Sequence, residues 1–361
     1  MSFWDEDPLA DLPEITPHPG RSGSQSSELS AALSSLPATP ILQQNELDVF
    51  SNALRKYRPI HASDDTSSVL QAFVDNLSGQ GLLRLQHEIY MLAEDPRQLR
   101  QLRNFLVDAI LKPVAASSGK QPIITPPPNQ AAAFAIELAM TKIEGSTRQP
   151  GQTWLKEECL RRDKNRCVVS GLIDATAYEK MSPGERRGNK STSTECVHIL
   201  PFALSKLNEK NATHTKNKAT IWLALHQYFP ALEKKIGADM IHQPGNAMTL
   251  ASTFHKELGR FTFGFQAMNE YRIEIWDENS YFAGLLPTVV TFAQHDAKVL
   301  RPDPDVLDAH LRIGRILKVS GIGRAVHMSL GRYERRNVDN IASDGSTNLE
   351  RILGDKMLIG I

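Results

Sequence analysis

The sequence predicts an α+β protein, on three observations. Apolar residues recur at helical spacing between Leu42 and Ala116. Short β-branched and alternating runs appear only after Arg166. A stretch rich in Pro and Ser, with Pro126-Pro127-Pro128 at its end, separates the two regions. The 361 residues are long enough for two domains, or for one domain with extensions.

The elements follow in order. Residues 1–40 are rich in Pro, Ser, Gly and acid and poor in large apolar groups, so they are expected to be a disordered acidic head. A helical unit is expected over 41–116. Its stripes are Leu70/Phe73/Val74/Leu77, then Leu82/Leu85/Ile89/Leu92, then Leu99/Leu102/Phe105/Leu106/Ile110. Asp95-Pro96 reads as an N-cap followed by a first-turn proline, and Gly79-Gln80-Gly81 as a loop between helices. Residues 117–130 read as a stiff Pro-rich linker. A domain over 131–325 is expected to open with helices at Gln130–Ile143 and Thr153–Asp163. A strand is expected at Cys167-Val168-Val169, turned by Ser170-Gly171, then a basic flexible loop from Lys180 to Thr194. Glu195–Leu200 reads as a strand ended by Pro201. Helices are expected over 217–236 and at Ala247–Leu258, the latter closed by Gly259. Phe261/Phe263/Phe265 and Tyr271/Ile273/Ile275 alternate as in a hairpin, and a last helix covers Asp303–Val319. Residues 326–361 read as a loose tail.

Composition narrows the function classes. No stretch approaches the roughly 18 apolar residues that span a membrane. The start, MSFWDEDPLA, lacks the charge pattern of a secretory signal. Cys159, Cys167 and Cys196 are odd in number and widely spaced, which argues against a disulfide framework or a four-cysteine zinc site. An intracellular, reducing location in cytoplasm or nucleus is therefore expected. The 41 Lys+Arg balance 41 Asp+Glu, but unevenly along the chain. Residues 1–50 carry eight acids and one base, a net −7, whereas 151–220 carry thirteen bases and eight acids, a net +5. A basic middle suits a polyanion, since Lys and Arg neutralise phosphates and release counterions. A solvated surface would read the same way.

There is no phosphate-binding GxxxxGK[ST] loop and no GxSxG elbow. The informative residues are His198 at a strand end, Asn246 in the Pro244-Gly245-Asn246 turn, and His255 nine residues further on. Asn217 and His226 share that nine-residue spacing, but His226 lies among Ile221, Trp222, Leu225 and Phe229 and reads as a core-edge histidine. The ordered set resembles the HNH endonucleases, more narrowly the fungal HNH-domain proteins. It comprises Arg162-Asp163, Arg166-Cys167-Val168-Val169-Ser170-Gly171, Val197-His198-Ile199-Leu200-Pro201-Phe202, Pro244-Gly245-Asn246, Leu250, His255, Phe261/Phe263/Phe265 and Pro302-Asp303-Pro304. The likeness extends over roughly residues 155–325.

That resemblance implies a ββα-metal fold and metal-dependent hydrolysis of nucleic-acid phosphodiesters, of DNA rather than RNA. It implies that His198 is the general base, that Asn246 orders the site, and that His255 binds a divalent cation, Mg2+ first, with Mn2+ or Zn2+ as alternatives. Glu195 is a further metal candidate, although strand alternation turns it away from His198 and places Cys196 on the histidine's face. Glu257 is another. Arg186, Arg187 and Lys190 are candidate phosphate contacts. Two positions depart from the family pattern: Val197 stands where a ligand precedes the base, and Gly259 where a second downstream ligand is usual. The alternative is therefore a non-catalytic HNH-fold module that binds nucleic acid or a protein.

Overall fold

The computed structural model describes residues 40–115, 124–143, 151–201, 204, 212–233, 235–237, 240–268, 270–276, 281–292 and 295–323. The expected disordered head and loose tail lie outside these residues. The described chain is α+β, with small sheets set among helices.

Four helices open it: α1 (Gln44–Lys56), α2 (Thr66–Asn76), α3 (Gly79–Met91) and α4 (Pro96–Leu106). Asp95 caps α4 as expected, its carboxylate accepting from the Arg97 amide at 2.8 Å and the Gln98 amide at 3.4 Å. A π-turn at Val107–Leu111 leads into the short α5 (Lys112–Ala115). The Pro-rich segment lies against these helices, with Gln101 Nε2 donating to the Pro126 carbonyl at 3.1 Å and the Thr125 hydroxyl donating to Asp108 at 2.6 Å.

Helices α6 (Gln130–Ile143) and α7 (Gln152–Arg162) follow within a residue or so of their expected positions. Strand β1 (Ile173–Asp174) is parallel to β2 (Ser191–Thr192), with α8 (Ala175–Glu179) and α9 (Pro183–Arg186) between them. Strand β3 (Thr194–His198) precedes α10 (Ala212–Tyr228) and is antiparallel to β4 (Ala247–Ala251), which runs directly into α11 (Ser252–Gly259). A three-stranded sheet of β5 (Phe263–Ala267), β6 (Tyr271–Ile275) and β7 (Val289–Val290) then packs on α12 (Pro304–Val319). One continuous apolar core runs from Leu42 to Ile322, through both the first helices and the strand-bearing half. Helix α10 packs on α3, and α12 packs on α2. At the first contact the Tyr228 hydroxyl donates to the buried Glu88 carboxylate at 2.5 Å.

Several local expectations are corrected. Cys167–Val169 is a turn with a single bridge, Arg166 to Ile173; the Cys167 amide donates to the Leu172 carbonyl and Gly171 takes φ +70° to close it. The Lys180–Thr194 loop holds α9 and β2, because Pro183 suits a first helical turn and Ser182 with Glu185 forms a capping box. Gly79–Gly81 is the first turn of α3; a β-carbon on Gly81 would lie 2.1 Å from the Tyr228 carbonyl oxygen, so this glycine permits helix contact. The expected 217–236 helix is α10, starting at Ala212 and ending at Tyr228, just before Pro230. The largest difference is Ala247–Leu258, expected as one helix. Its first five residues are all buried and form β4, and only Ser252 onward is helical. A run buried on every side carries neither helical nor strand periodicity, so its sequence does not distinguish the two.

Trp276 lies across β5 and α12, and Gly314 makes room for it: a β-carbon there would sit 2.1 Å from the indole ring. Helix propensity alone predicts that Gly314→Ala stabilises by about 1 kcal/mol. Overpacking against a buried ring costs about 1–3 kcal/mol and should prevail. Urea denaturation is expected to show a net loss of stability; a gain would show that Trp276 moves aside freely.

Candidate active site

The site is assembled by β3, β4 and α11. Strand β3 pairs with β4 so that His198 stands opposite Ala247 and Glu195 opposite Leu250. Because β4 continues into α11, a helix residue returns over the hairpin. His255 thereby meets Glu195, its Nδ1 in direct contact with the carboxylate Oε2, with both side chains nearly half exposed. Burial raises the Glu195 carboxyl, but the bond to His255 and the nearby Ser252 hydroxyl and Lys256 charge outweigh it and hold it below its usual range.

His198 closes β3. Its Nε2 lies 3.1 Å from His242 Nδ1, the two rings meeting edge to face with centroids 5.1 Å apart. Burial, then the neighbouring His242 and His255, lower the His198 pKa to about 4. Burial lowers His242 as well. Both rings are therefore neutral near pH 7, the form in which an imidazole can accept a proton.

Asn246 is 2% exposed and makes no contact with either ring's hydrogen-bonding atoms in the bonds it forms. Its Oδ1 accepts from the Leu200 amide at 2.9 Å, while Nδ2 donates to the carbonyls of Leu200 and Ile241, each at 3.0 Å. Its own carbonyl accepts from the Ile199 amide at 2.8 Å. One side chain thus fastens the residues after His198 to the residue before His242.

Arg162 secures this turn from below. The guanidinium is wholly buried and all five of its N–H groups are used. Nε and Nη2 donate to Asp163 at 2.7 and 2.9 Å, Nη1 to the Pro244 and Leu300 carbonyls at 2.9 Å each, and Nη2 to the Ala247 carbonyl at 3.0 Å. Asp163 also accepts from the Thr249 amide at 3.0 Å. The pair therefore grips both sides of Asn246 and the middle of β4.

The other candidates lie as follows. Arg186 spends its guanidinium on the Tyr178 and Glu179 carbonyls and stacks over the Tyr178 ring at 5.3 Å. Arg187 and Lys190 are exposed. Glu257 is buried and accepts from the Thr262 hydroxyl at 2.9 Å, which turns it away from solvent. Val197 belongs to the core, and Gly259 ends α11. Cys196 packs against Cys159 and Leu155 of α7. His226 Nε2 donates to the Ile236 carbonyl, 2.9 Å away in the core, as a core-edge histidine should. Sequence reasoning missed His242. Its one signal is a histidine four residues before Asn246, and nothing local marks it as a partner of β3.

A divalent cation would find two donors here, Glu195 and His255, both reaching solvent. Among the described residues no group of three or more His, Cys, Asp or Glu side chains is disposed to hold a metal. Two donors fit a cation that keeps several waters and takes its other ligands from substrate phosphates, as Mg2+ does.

The described site is thus a strand hairpin running into a helix, with one histidine ending the first strand and a second on the helix. Residues 167–266 match the family described as HNH endonuclease, and this stretch is an HNH-family domain containing Glu195, His198, His242, Asn246 and His255. No curated protein and no solved structure matches the chain.

Replacing Arg162 by Ala strips a buried carboxylate of its partner, which costs about 3–5 kcal/mol. Lys cannot reproduce the five-donor fork, so Arg162→Lys should also destabilise. Denaturation midpoints of both variants check this, and a loss below about 1 kcal/mol for Arg162→Ala would remove Arg162 from this role.

Proposed function

We propose that this domain hydrolyses nucleic-acid phosphodiesters, DNA in preference to RNA, with His198 as general base. The observation that carries the reading is the neutral, ordered imidazole of His198 at the end of β3, close enough to His255 to feel its charge, while His255 meets Glu195. His198 takes a proton from an attacking water, whose oxygen bonds to phosphorus as the bond to the leaving oxygen breaks. Solvent supplies the proton that the leaving oxygen needs. Glu195 and His255 would hold a divalent cation, Mg2+ in the first instance. When bound, it supplies charge stabilisation at the phosphate and the leaving oxygen. Asn246 holds the base in place through the backbone on either side of the site. Arg187 and Lys190 are free to face solvent and would neutralise phosphates along the backbone. The three free cysteines suit a reducing, intracellular setting.

A second reading has its own support. Val197 is buried in the core beside the base, where the family resemblance calls for a ligand. A domain that has lost metal affinity would bind nucleic acid in a salt-sensitive way without cutting it.

Plasmid nicking with Mg2+ or Mn2+ separates the two. His198→Ala should lower the rate by about 10²–10⁴-fold. Equal nicking by both proteins would remove the catalytic assignment, and binding without nicking by the wild type would support the second reading. The pH profile is a further test. A pKa lowered to about 4 keeps His198 basic down to that pH, so with the cation held saturating at every pH, where proton competition for its ligands does not intrude, kcat/KM should fall only below it. An acid limb near about 6.5, the value of an exposed imidazole, would contradict the buried base.

A further inference from the structure

We propose that the first helices carry a second site, a cavity on α4 that binds a small sugar phosphate through Arg97, Arg100 and Arg103. None of the residues lining it belongs to the candidate active site, so the proposal stands apart from the reading of His198 as a base.

The cavity has a volume of about 470 Å³, within the range of small-ligand sites. One wall is α4, where Arg97, Arg100 and Arg103 recur at three-residue spacing and so share a helix face. The facing wall is the segment before α2, with His61, Asp64 and Asp65. Three arginines against two aspartates leave a net positive charge, before His61 is counted. Both carboxylates are already engaged. Asp65 pairs with Arg103 Nη2 at 2.6 Å. Asp64 accepts from the Tyr57 hydroxyl at 2.8 Å, the Ile60 amide at 3.0 Å, and the Thr66 amide and hydroxyl at 3.1 and 2.6 Å. Those bonds hold the wall in shape.

The arginines keep donors to spare. Arg103 Nε is buried and has no hydrogen-bond partner among the described residues. A buried donor in that state costs free energy, which an oxygen from a ligand would recover. Arg100 gives Nη1 to the Tyr57 hydroxyl at 3.0 Å and retains its other N–H groups. The exposed Arg97 guanidinium forms no hydrogen bond or ion pair among the described residues, and the neighbouring Asp95 is turned to the backbone amides that it caps. A phosphate monoester brings nearly two negative charges and three acceptor oxygens to this set. A carboxylate brings one charge and two oxygens, and leaves donors unmet. A bare phosphate ion would fill only part of the space. The remainder is edged by Ser63, Gln101, Asn104 and Thr125, whose hydroxyls and amides suit the hydroxyls of a sugar.

The test is a titration of the full chain, labelled with 15N-arginine, at constant ionic strength and with a chelator present to keep any cation site empty. Ribose 5-phosphate, inorganic phosphate and ribose are the probes. The Nε–H signals of Arg97, Arg100 and Arg103, each assigned by its loss in a single Arg→Lys variant, should shift saturably with ribose 5-phosphate. The exposed Arg55 and Arg260 should not respond, and ribose should move none of them. Ribose 5-phosphate should bind at least about tenfold tighter than inorganic phosphate, and Arg97→Gln, which leaves the core residues Leu99 and Leu102 in place, should weaken it by about tenfold or more. Four results would overturn the proposal: no saturable shift at the three arginines, equal shifts at Arg55 and Arg260, inorganic phosphate binding as tightly as ribose 5-phosphate, or an unchanged Kd in Arg97→Gln. The readout involves no cleavage, so failure of the nuclease reading would leave it standing.

Discussion

The buried Arg162–Asp163 pair is the constraint on which the site depends. A guanidinium removed from water must satisfy every donor or leave a costly orphan. Here five N–H groups find five acceptors, three of them backbone carbonyls at Pro244, Ala247 and Leu300. Asp163 closes the arrangement on the Thr249 amide. The consequence is a turn that cannot drift. It sits between the loop carrying His242 and the strand that pairs with His198, and its central residue is Asn246.

From that anchor the chemistry follows by short steps. The β3–β4 pairing sets His198 opposite Ala247, and the unbroken passage from β4 into α11 brings His255 back over the hairpin to Glu195. Burial makes the first histidine a neutral acceptor, while the half-exposed second histidine and its carboxylate meet solvent, where a cation and a phosphate would arrive. The proposed acceptor and the proposed ligand are thus supplied by the two ends of one small unit. The first helices stand behind it: α3 packs on α10, and the Glu88–Tyr228 bond lies in that contact.

Much of this was legible in the sequence where local chemistry is decisive. The N-cap and proline at Asp95-Pro96, the alternating Phe263/Phe265 and Ile273/Ile275, and the stripe of α12 all speak through short-range rules. So did His198 at a strand end and Asn246 in its turn. The strand β4 was hidden because burial on every side erases periodicity, and the turn at Cys167 because β-branched residues do not by themselves make a ladder. Face alternation placed Glu195 away from His198, and it did not reveal that α11 would bring His255 to that side. His242 was invisible for a different reason. Its partner lies 44 residues earlier, and only the fold-back of the loop joins them.

The claim that base and ligand share one pocket is tested most directly by titrating Mn2+ into 15N-histidine-labelled protein and following the ring signals. Selective paramagnetic broadening should reach His255 first and His198 next, ahead of His61 and His87 in the first helices, and Glu195→Ala should abolish it. Broadening that spares His255, or that spreads equally over all the histidines, would contradict a cation site built by Glu195 and His255 beside the base.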